Sequence, residues 1–471
     1  MFPNLLGREK TESWSLNQKI NPSAIFFYLL VLFLPTQFGK HFWPNFSYVY
    51  GIRTDYLSPT LYLTDILITG LILSWILESL VSASGLSHAI KLASSNIVKL
   101  LILFFIVLFL LAGVLHSNNP PVGIYGIIKL LEYVFLFTYT AKNFRKLNSF
   151  VLFSTFIAGV LAESFLTIAQ YINQGSLGGI LYLLGERSFN SQTPGIANAS
   201  INGQLFLRPY ATFSHPNVLA GYLFVFMTLI IFYAKQKFFK RQNAVVFFSL
   251  FLGSLALFLT MSRISIIVWS GALLFLLAYS FWKKTRMDFK KKIDLLLIRN
   301  RILLLMVFII ITFIFTFPVG LRLFQFSFSD QAVVQREVLI KNSIIMFRQD
   351  PIFGAGLNNF LVNLPFVQKQ HGEVLYIQPV HNIYLLVLSQ TGIIGFVLFL
   401  YFLMKTYKRI EKSTNIELPV LFFSIFFLGL FDHYFLTLQQ GQIMFAVILG
   451  LFWSDPKKAI RTRNGHILPP R

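Results

Sequence analysis

The chain of 471 residues is divided by apolar runs, most of them close to 20 residues long, and this repetition limits the possible folds more than any other feature. In lipid every backbone polar group must be satisfied within its own segment, so a helix of about 20 predominantly apolar residues is the element that crosses the hydrocarbon core. Such runs occupy 23–38, 58–82, 97–115, 121–140, 149–172, 216–234, 243–260, 264–282, 302–318, 381–404, 417–432 and 438–453. They predict an all-α fold, a polytopic transmembrane helical bundle of about 12 spans, as one integral membrane domain over 1–471. Only 12% of the residues are charged, against about 25% in soluble domains. With 55% hydrophobic residues, the chain is excluded from the disordered class. A water-soluble nucleic-acid binder is disfavoured in spite of the +22 net charge, and no nucleic acid is expected as a partner. The absence of cysteine excludes disulfides and thiolate metal sites. The polar stretch 1–22 and the missing small-residue cleavage site imply that the first apolar run is retained as a helix.

An even number of spans places both termini on one side. With twelve crossings, that side holds 29 of the 40 Lys and Arg residues, the opposite side holds 10, and Lys129 lies inside the fourth run. Cytoplasmic loops are the ones enriched in Lys and Arg. The expectation is therefore a multi-pass protein of the cytoplasmic (inner) membrane, with N- and C-termini cytoplasmic and the excess cations against anionic lipid. The two longest polar segments, 173–215 and 319–380, then face outward. Within the larger one, between spans 9 and 10, residues 330–348 (DQAVVQREVLIKNSIIMFR) read as a helix, with Ser329 as cap and Pro351 as stop. A second short amphipathic stretch follows at 357–364, after the turn residues Gly354 and Gly356. Loops this long in a compact protein are usually functional, so the extracytoplasmic face is expected to carry the active site.

Three outward features stand out. The run Leu207-Arg208-Pro209-Tyr210-Ala211-Thr212-Phe213-Ser214-His215-Pro216-Asn217 leads into the sixth span. Pro216 suits a first helical turn and Ser214 a cap, so that Arg208 beside a helix N-terminus makes an anion site. The plainer reading is that Ser214 and His215 only cap the helix and Arg208 meets headgroups. Next, Thr260-Met261-Ser262-Arg263 forms a tight outward turn between two apolar runs, where Arg263 either binds an anion or anchors the helix end by snorkelling. Finally, Pro379-Val380-His381-Asn382-Ile383-Tyr384 closes the long loop. A neutral imidazole at a helix start is a proton acceptor near pH 7, or merely an interfacial cap. Asn382 would orient the ring or cap the helix.

Taken together, one imidazole and two or three Arg residues are what displacement at a sugar diphosphate requires. Arg forks hold phosphate oxygens bidentately, and the imidazole takes the proton from an acceptor hydroxyl. No outward Asp-x-Asp or Glu-x-Asp pair is present for magnesium, so neither a metal nor another cofactor is expected. Inside the apolar runs, Lys129 and Glu132 share a helix face at i,i+3 and are expected to pair. With Asp65 and Glu163 they would alternatively line an ion path, which motivates a secondary transporter or lipid flippase. Asp432 and His433 fall at a span end and are expected to be interfacial.

The ordered set of motifs resembles the O-antigen ligase and polymerase superfamily, membrane glycosyltransferases that use polyprenyl-diphosphate-linked glycans. The matching pieces are Arg208-Pro-Tyr-Ala-Thr-Phe-Ser-His-Pro-Asn217, Thr260-Met-Ser-Arg263, Arg336, Asp350-Pro-Ile-Phe-Gly-Ala-Gly356, His381-Asn-Ile-Tyr-Leu385 and Gly392-Ile-Ile-Gly395. The resemblance implies His381 as catalytic base and Arg208 and Arg263 as diphosphate binders, with Arg336 a further loop Arg. Supporting roles fall to His215, Asn217, Asn382 and Tyr384. Two positions depart from the family pattern: Ala211 and Ile264 stand where relatives commonly carry Gly. The implied reaction is metal-independent and inverting. It moves a glycan from a polyprenyl diphosphate donor to a lipid, glycan or protein acceptor, or joins repeat units as a polymerase.

Overall fold

The computed structural model describes residues 21–81, 97–201, 203–234, 243–284, 331–368, 376–411 and 415–454, together with Ser413 and scattered positions between 305 and 313. It is mostly helical with little strand. In chain order the helices are α1 (Pro22–Leu32), α2 (Leu63–Val81), α3 (Ile97–His116), α4 (Pro120–Asn143), α5 (Ser149–Asn173), α6 (Pro216–Ala234), α7 (Asn243–Leu259) and α8 (Arg263–Lys284). After these come α9 (Gln331–Gln349), α10 (Phe360–Gln368), α11 (Ile383–Ile410), α12 (Glu417–Leu428), α13 (Tyr434–Thr437) and α14 (Gln439–Trp453).

Eleven of the twelve apolar runs contain a helix; the run 302–318 lies largely outside the described residues. Among the described residues, five helical segments are long and apolar enough to cross a membrane: Leu63–Val81, Pro120–Lys146, Ser149–Asn173, Pro216–Ala234 and Ile383–Ile410. Shorter apolar helices cover Pro22–Leu32, Phe104–His116, Ala244–Leu259, Arg263–Tyr279 and Glu417–Leu428. Local chemistry accounts for two shortened ends. The first run stops at Leu32 because Pro35 follows, without an N–H for a further turn. The second starts at Leu63, because Thr60–Tyr62 instead pairs as a strand with Gly39–His41.

α6 is the hub, with 83% of its apolar window buried. It packs against α5, α7, α8, α12 and α14, and α14 packs closely along α4. One large core runs through these helices, with Phe224, Tyr222, Trp269 and Phe153 fully enclosed. Because lipid tails are as apolar as Leu, close packing rather than water exclusion holds such helices together. A Cβ at Gly221 would collide with the ring of Tyr434, so glycine there lets α13 lie against α6.

The helix expected over 330–348 runs Gln331–Gln349, and the second, expected at 357–364, is shifted to Phe360–Gln368 as α10. The turn at 350–356 then docks into a break in α11. Gly392 has φ 61°, a left-handed conformation inside the helix. The freed groups are satisfied from outside: Ile393 N donates to Pro351 O and Ala355 N to Ser389 O, both at 2.8 Å. The Asp350-to-Gly356 motif and the Gly392-to-Gly395 motif are thus two halves of one joint, which fixes α9 relative to the start of α11.

Candidate active site

The segment 208–215 is held from below by α5. Gln170 Oε1 accepts from Tyr210 N at 3.0 Å and Ala211 N at 2.8 Å, and Glu163 accepts from Thr212 N at 3.2 Å and Thr212 Oγ1 at 3.0 Å. Both carboxamide and carboxylate are buried. This explains how Ala211 keeps φ 49° without being glycine: two N–H bonds to one carbonyl hold the turn in place. Glu163, considered above as part of an ion path, is a turn anchor in this arrangement.

At the helix entrance the expected cap differs. Asn217 N donates to His215 Nδ1 at 3.1 Å, while Ser214 Oγ points to Gln440 Oε1 at 3.3 Å. His215, directly before Pro216, thus satisfies an N-terminal N–H of α6 in place of Ser214. Arg208 reaches across: Nε donates to Thr260 O at 2.8 Å and Nη2 to Asn217 Oδ1 at 2.6 Å. Thr260 belongs to the three-residue connection between α7 and α8, and Arg263 is the first residue of α8. Arg208 is therefore bonded to the turn that leads into Arg263.

Asn382 caps α11, its Oδ1 accepting from Tyr384 N and Leu385 N at 2.9 Å each, and its Nδ2 donating to Leu430 O at 3.2 Å. Ile383 N donates to Gly429 O at 2.8 Å. His381 is thereby pinned against the 429–433 connection, and its ring lies 4.9 Å from that of His433 in an edge-to-face arrangement. Its Nδ1 is buried and has no hydrogen-bond partner. Tyr384 points elsewhere, donating to Phe426 O of α12 at 3.0 Å.

The 429–433 connection carries two residues that sequence reasoning placed at an interface. His433 is 4% exposed, and Asp432 lies at the centre of the cluster. Asp432 Oδ2 accepts from Asn217 Nδ2 and Oδ1 from His433 N, both at 2.8 Å. Tyr56, from the loop before α2, packs edge-on to His433 at 5.6 Å. A signal was present: two adjacent titratable residues between apolar runs, in a chain with only 18 acidic residues.

Burial pushes His215 and His433 down to about 3, aided for His215 by Arg208 and for His433 by His381, and in both by Arg336. His381 is lowered too, by burial and then opposed by Asp432, with Arg336 adding to the lowering. All three imidazoles are neutral at pH 7. Burial alone would raise the Asp432 carboxyl, but His433, His381, His215 and the Asn217 amide outweigh it and hold it at about 2. Arg208 and Arg336 against one carboxylate leave the cluster net positive, ringed around one unpartnered imidazole nitrogen. Among the described residues no group of three or more His, Asp or Glu is placed to hold a metal ion.

A cavity of about 580 Å³ adjoins this cluster through Tyr56, Ser214 and Thr437, whose Oγ1 lies 2.6 Å from His433 Nδ1. Polar residues such as Gln37, Asp55 and Arg187 line it together with apolar ones such as Phe109, Leu130, Phe399, Phe402 and Leu449. Lys129 also lines it, bound to Asp65 Oδ1 at 2.7 Å and Glu132 Oε2 at 2.9 Å.

The structure thus gathers His381, Arg208, Arg336, His215 and Asn217, bonds Arg208 to the turn before Arg263, and adds Asp432 and His433. No curated protein matches the chain. Residues 248–400 match the family model described as O-antigen ligase, a stretch that holds Arg263, Arg336 and His381. That match supports an O-antigen ligase- or polymerase-like, glycosyltransferase-type enzyme of polysaccharide biosynthesis, with glycan and lipid-linked substrates in a membrane context. The match over residues 248–400 thus supports the O-antigen ligase superfamily, a likeness confined to that third of the chain.

Proposed function

We propose that the protein transfers a glycan from a polyprenyl diphosphate donor to an acceptor hydroxyl at the outer face of the cytoplasmic membrane. The observation that carries this reading is the buried, unpartnered Nδ1 of neutral His381 inside a net-positive cluster. The acceptor oxygen attacks the anomeric carbon from the face opposite the diphosphate, and His381 takes its proton. The bond between the anomeric carbon and the diphosphate oxygen breaks, the electron pair leaves with the polyprenyl diphosphate, and the configuration inverts. Arg208 and Arg263 hold the diphosphate as its charge grows, and Arg336 adds to the local positive potential. Guanidinium groups are sufficient for this, so the reaction runs without a metal. The adjoining cavity, lined by many apolar residues beside a few polar ones, suits part of a lipid-linked substrate. Twelve crossings with both termini cytoplasmic complete the reading, since 29 of the 40 cations then face inward.

The test is a transfer assay in reconstituted vesicles, with an extracted polyprenyl-diphosphate glycan, candidate acceptors and a chelator present. His381→Ala is expected to bind donor and lose transfer. Near-wild-type transfer by that variant would refute the mechanism. Examining surface glycans after gene deletion separates ligase from polymerase: loss of a polymerase leaves single units attached, and loss of a ligase leaves none.

A further inference from the structure

We propose that Asp432 is a positioning residue that couples the diphosphate-binding half of the site to the proton-accepting half. The proposal rests on the transfer reading above. One carboxylate oxygen acts through an amide relay: Asp432 Oδ2 accepts from Asn217 Nδ2 at 2.8 Å, and Asn217 Oδ1 accepts from Arg208 Nη2 at 2.6 Å. Bonded on both sides, Asn217 has a single orientation, because its oxygen must face the guanidinium and its nitrogen the carboxylate. Arg208 is fixed at its other edge by Thr260 O. The second oxygen accepts from His433 N at 2.8 Å, which sets the imidazole that packs edge-on to His381. A single carboxylate thus spans the first turn of α6 and the connection after α12, and the relay extends through Arg208 to the turn before α8.

The charge acts as well as the bonds. His381 is faced by Asp432 and His433 from the 429–433 connection, by His215 from the segment before α6, and by Arg336 from α9. Arg208 acts on His215, and Tyr56 closes the far side of His433. Asp432 is the one anion in this group. Its charge stabilises the imidazolium and so keeps His381 basic enough to accept a proton, against burial and Arg336. Brønsted behaviour makes that basicity matter, because a base whose pKa falls far below the working pH removes a proton less readily.

The sign of the consequence is fixed. Transfer is lost at low pH as His381 protonates, so the acid limb of kcat/KM reports its pKa. Removing the Asp432 charge lowers that pKa and moves the limb to lower pH. In Asp432→Asn the limb is expected to move down by about one unit, with plateau transfer reduced at least about tenfold and donor KM raised. Asp432→Glu keeps the charge, so its limb should stay at the wild-type pH while donor KM rises through the displaced relay. Asn217→Ala cuts the relay alone, raising donor KM with an unmoved limb.

These variants would be measured as full-length protein in vesicles, with thermal unfolding as a check on folding. An unmoved acid limb in Asp432→Asn, or an unchanged donor KM in Asn217→Ala, would overturn the proposal. If Asp432→Asn does not fold, Asp432→Glu and Asn217→Ala still decide the relay through donor KM. Failure of the underlying reading looks different, since His381→Ala would then transfer as well as the wild type.

Discussion

Two buried ionisable clusters share this molecule, and they are built differently. The triad of Lys129, Asp65 and Glu132 stands on regular helices, α4 and α2, and every member is bonded. Asp65 accepts from Lys129, from Gln439 of α14 and from Tyr62 N at 2.9 Å, and Tyr133 OH donates to Gln439 Oε1 at 2.5 Å. The other cluster, outer only in the proposed topology, stands mainly on helix ends and connections: His215, His381, Asp432 and His433 all precede or link helices. It keeps a buried imidazole nitrogen, Nδ1 of His381, without a hydrogen-bond partner. Saturated groups on rigid helices are the mark of a structural joint. Polar groups at element ends, with one left open to a reactant, are the mark of a site. That contrast favours transfer chemistry at the outer cluster over ion passage through the triad.

The largest expected effect breaks the comparison directly. His381→Ala should lower transfer by about 10²–10⁴-fold, the usual contribution of a general base, with little change in thermal stability. Lys129→Ala should do the reverse. Two carboxylates left facing each other without their cation cost about 3–5 kcal/mol of stability, read as a lower unfolding temperature in detergent. Transfer per folded molecule should persist. If Lys129→Ala abolished transfer in folded protein, the triad would belong to the reaction after all. Arg263→Lys comes next: with the bidentate fork lost, transfer should fall by up to about 3 kcal/mol in barrier terms, and kcat should suffer more than donor binding.

The same contrast explains what could be read from the sequence. The Lys129–Glu132 pair was legible because i,i+3 spacing is a local property of a helix. Arg208, Arg263 and His381 could be singled out as candidates because each sits in a polar motif bordering an apolar run. Asp65 as the partner of Lys129 was not, since 64 residues separate them and only the packing of α2 beside α4 joins them. The packing of Asp432 and His433 against His381 was not legible for a related reason. The run 417–432 gave no sign that its helix stops at Leu428, nor that the freed chain turns back beneath His381. Eleven of the twelve runs contain a helix among the described residues, but helix ends depend on residues such as Pro35 and on strand pairing at 60–62 that hydropathy does not register.

The smallest expected effect concerns the strained turn on which the outer cluster rests. Ala211 adopts φ 49°, where an L-residue costs roughly 1–2 kcal/mol relative to glycine. Replacing it with Gly relieves that strain, but glycine also gains about 0.5–1 kcal/mol of freedom in the unfolded chain. The two changes nearly cancel, so Ala211→Gly should alter stability by less than about 1 kcal/mol. Its backbone N–H still donates to Gln170 Oε1, as does that of Tyr210, so Arg208 and His215 keep their places. Transfer should then stay close to the wild-type rate. Gln170→Ala removes the acceptor instead and leaves both N–H groups unsatisfied, so it should impair transfer where Ala211→Gly does not. A pair of transfer assays and unfolding curves settles the point. If Ala211→Gly proved the more damaging of the two, the stiffness of the alanine turn, rather than the Gln170 bonds, would be what holds the site.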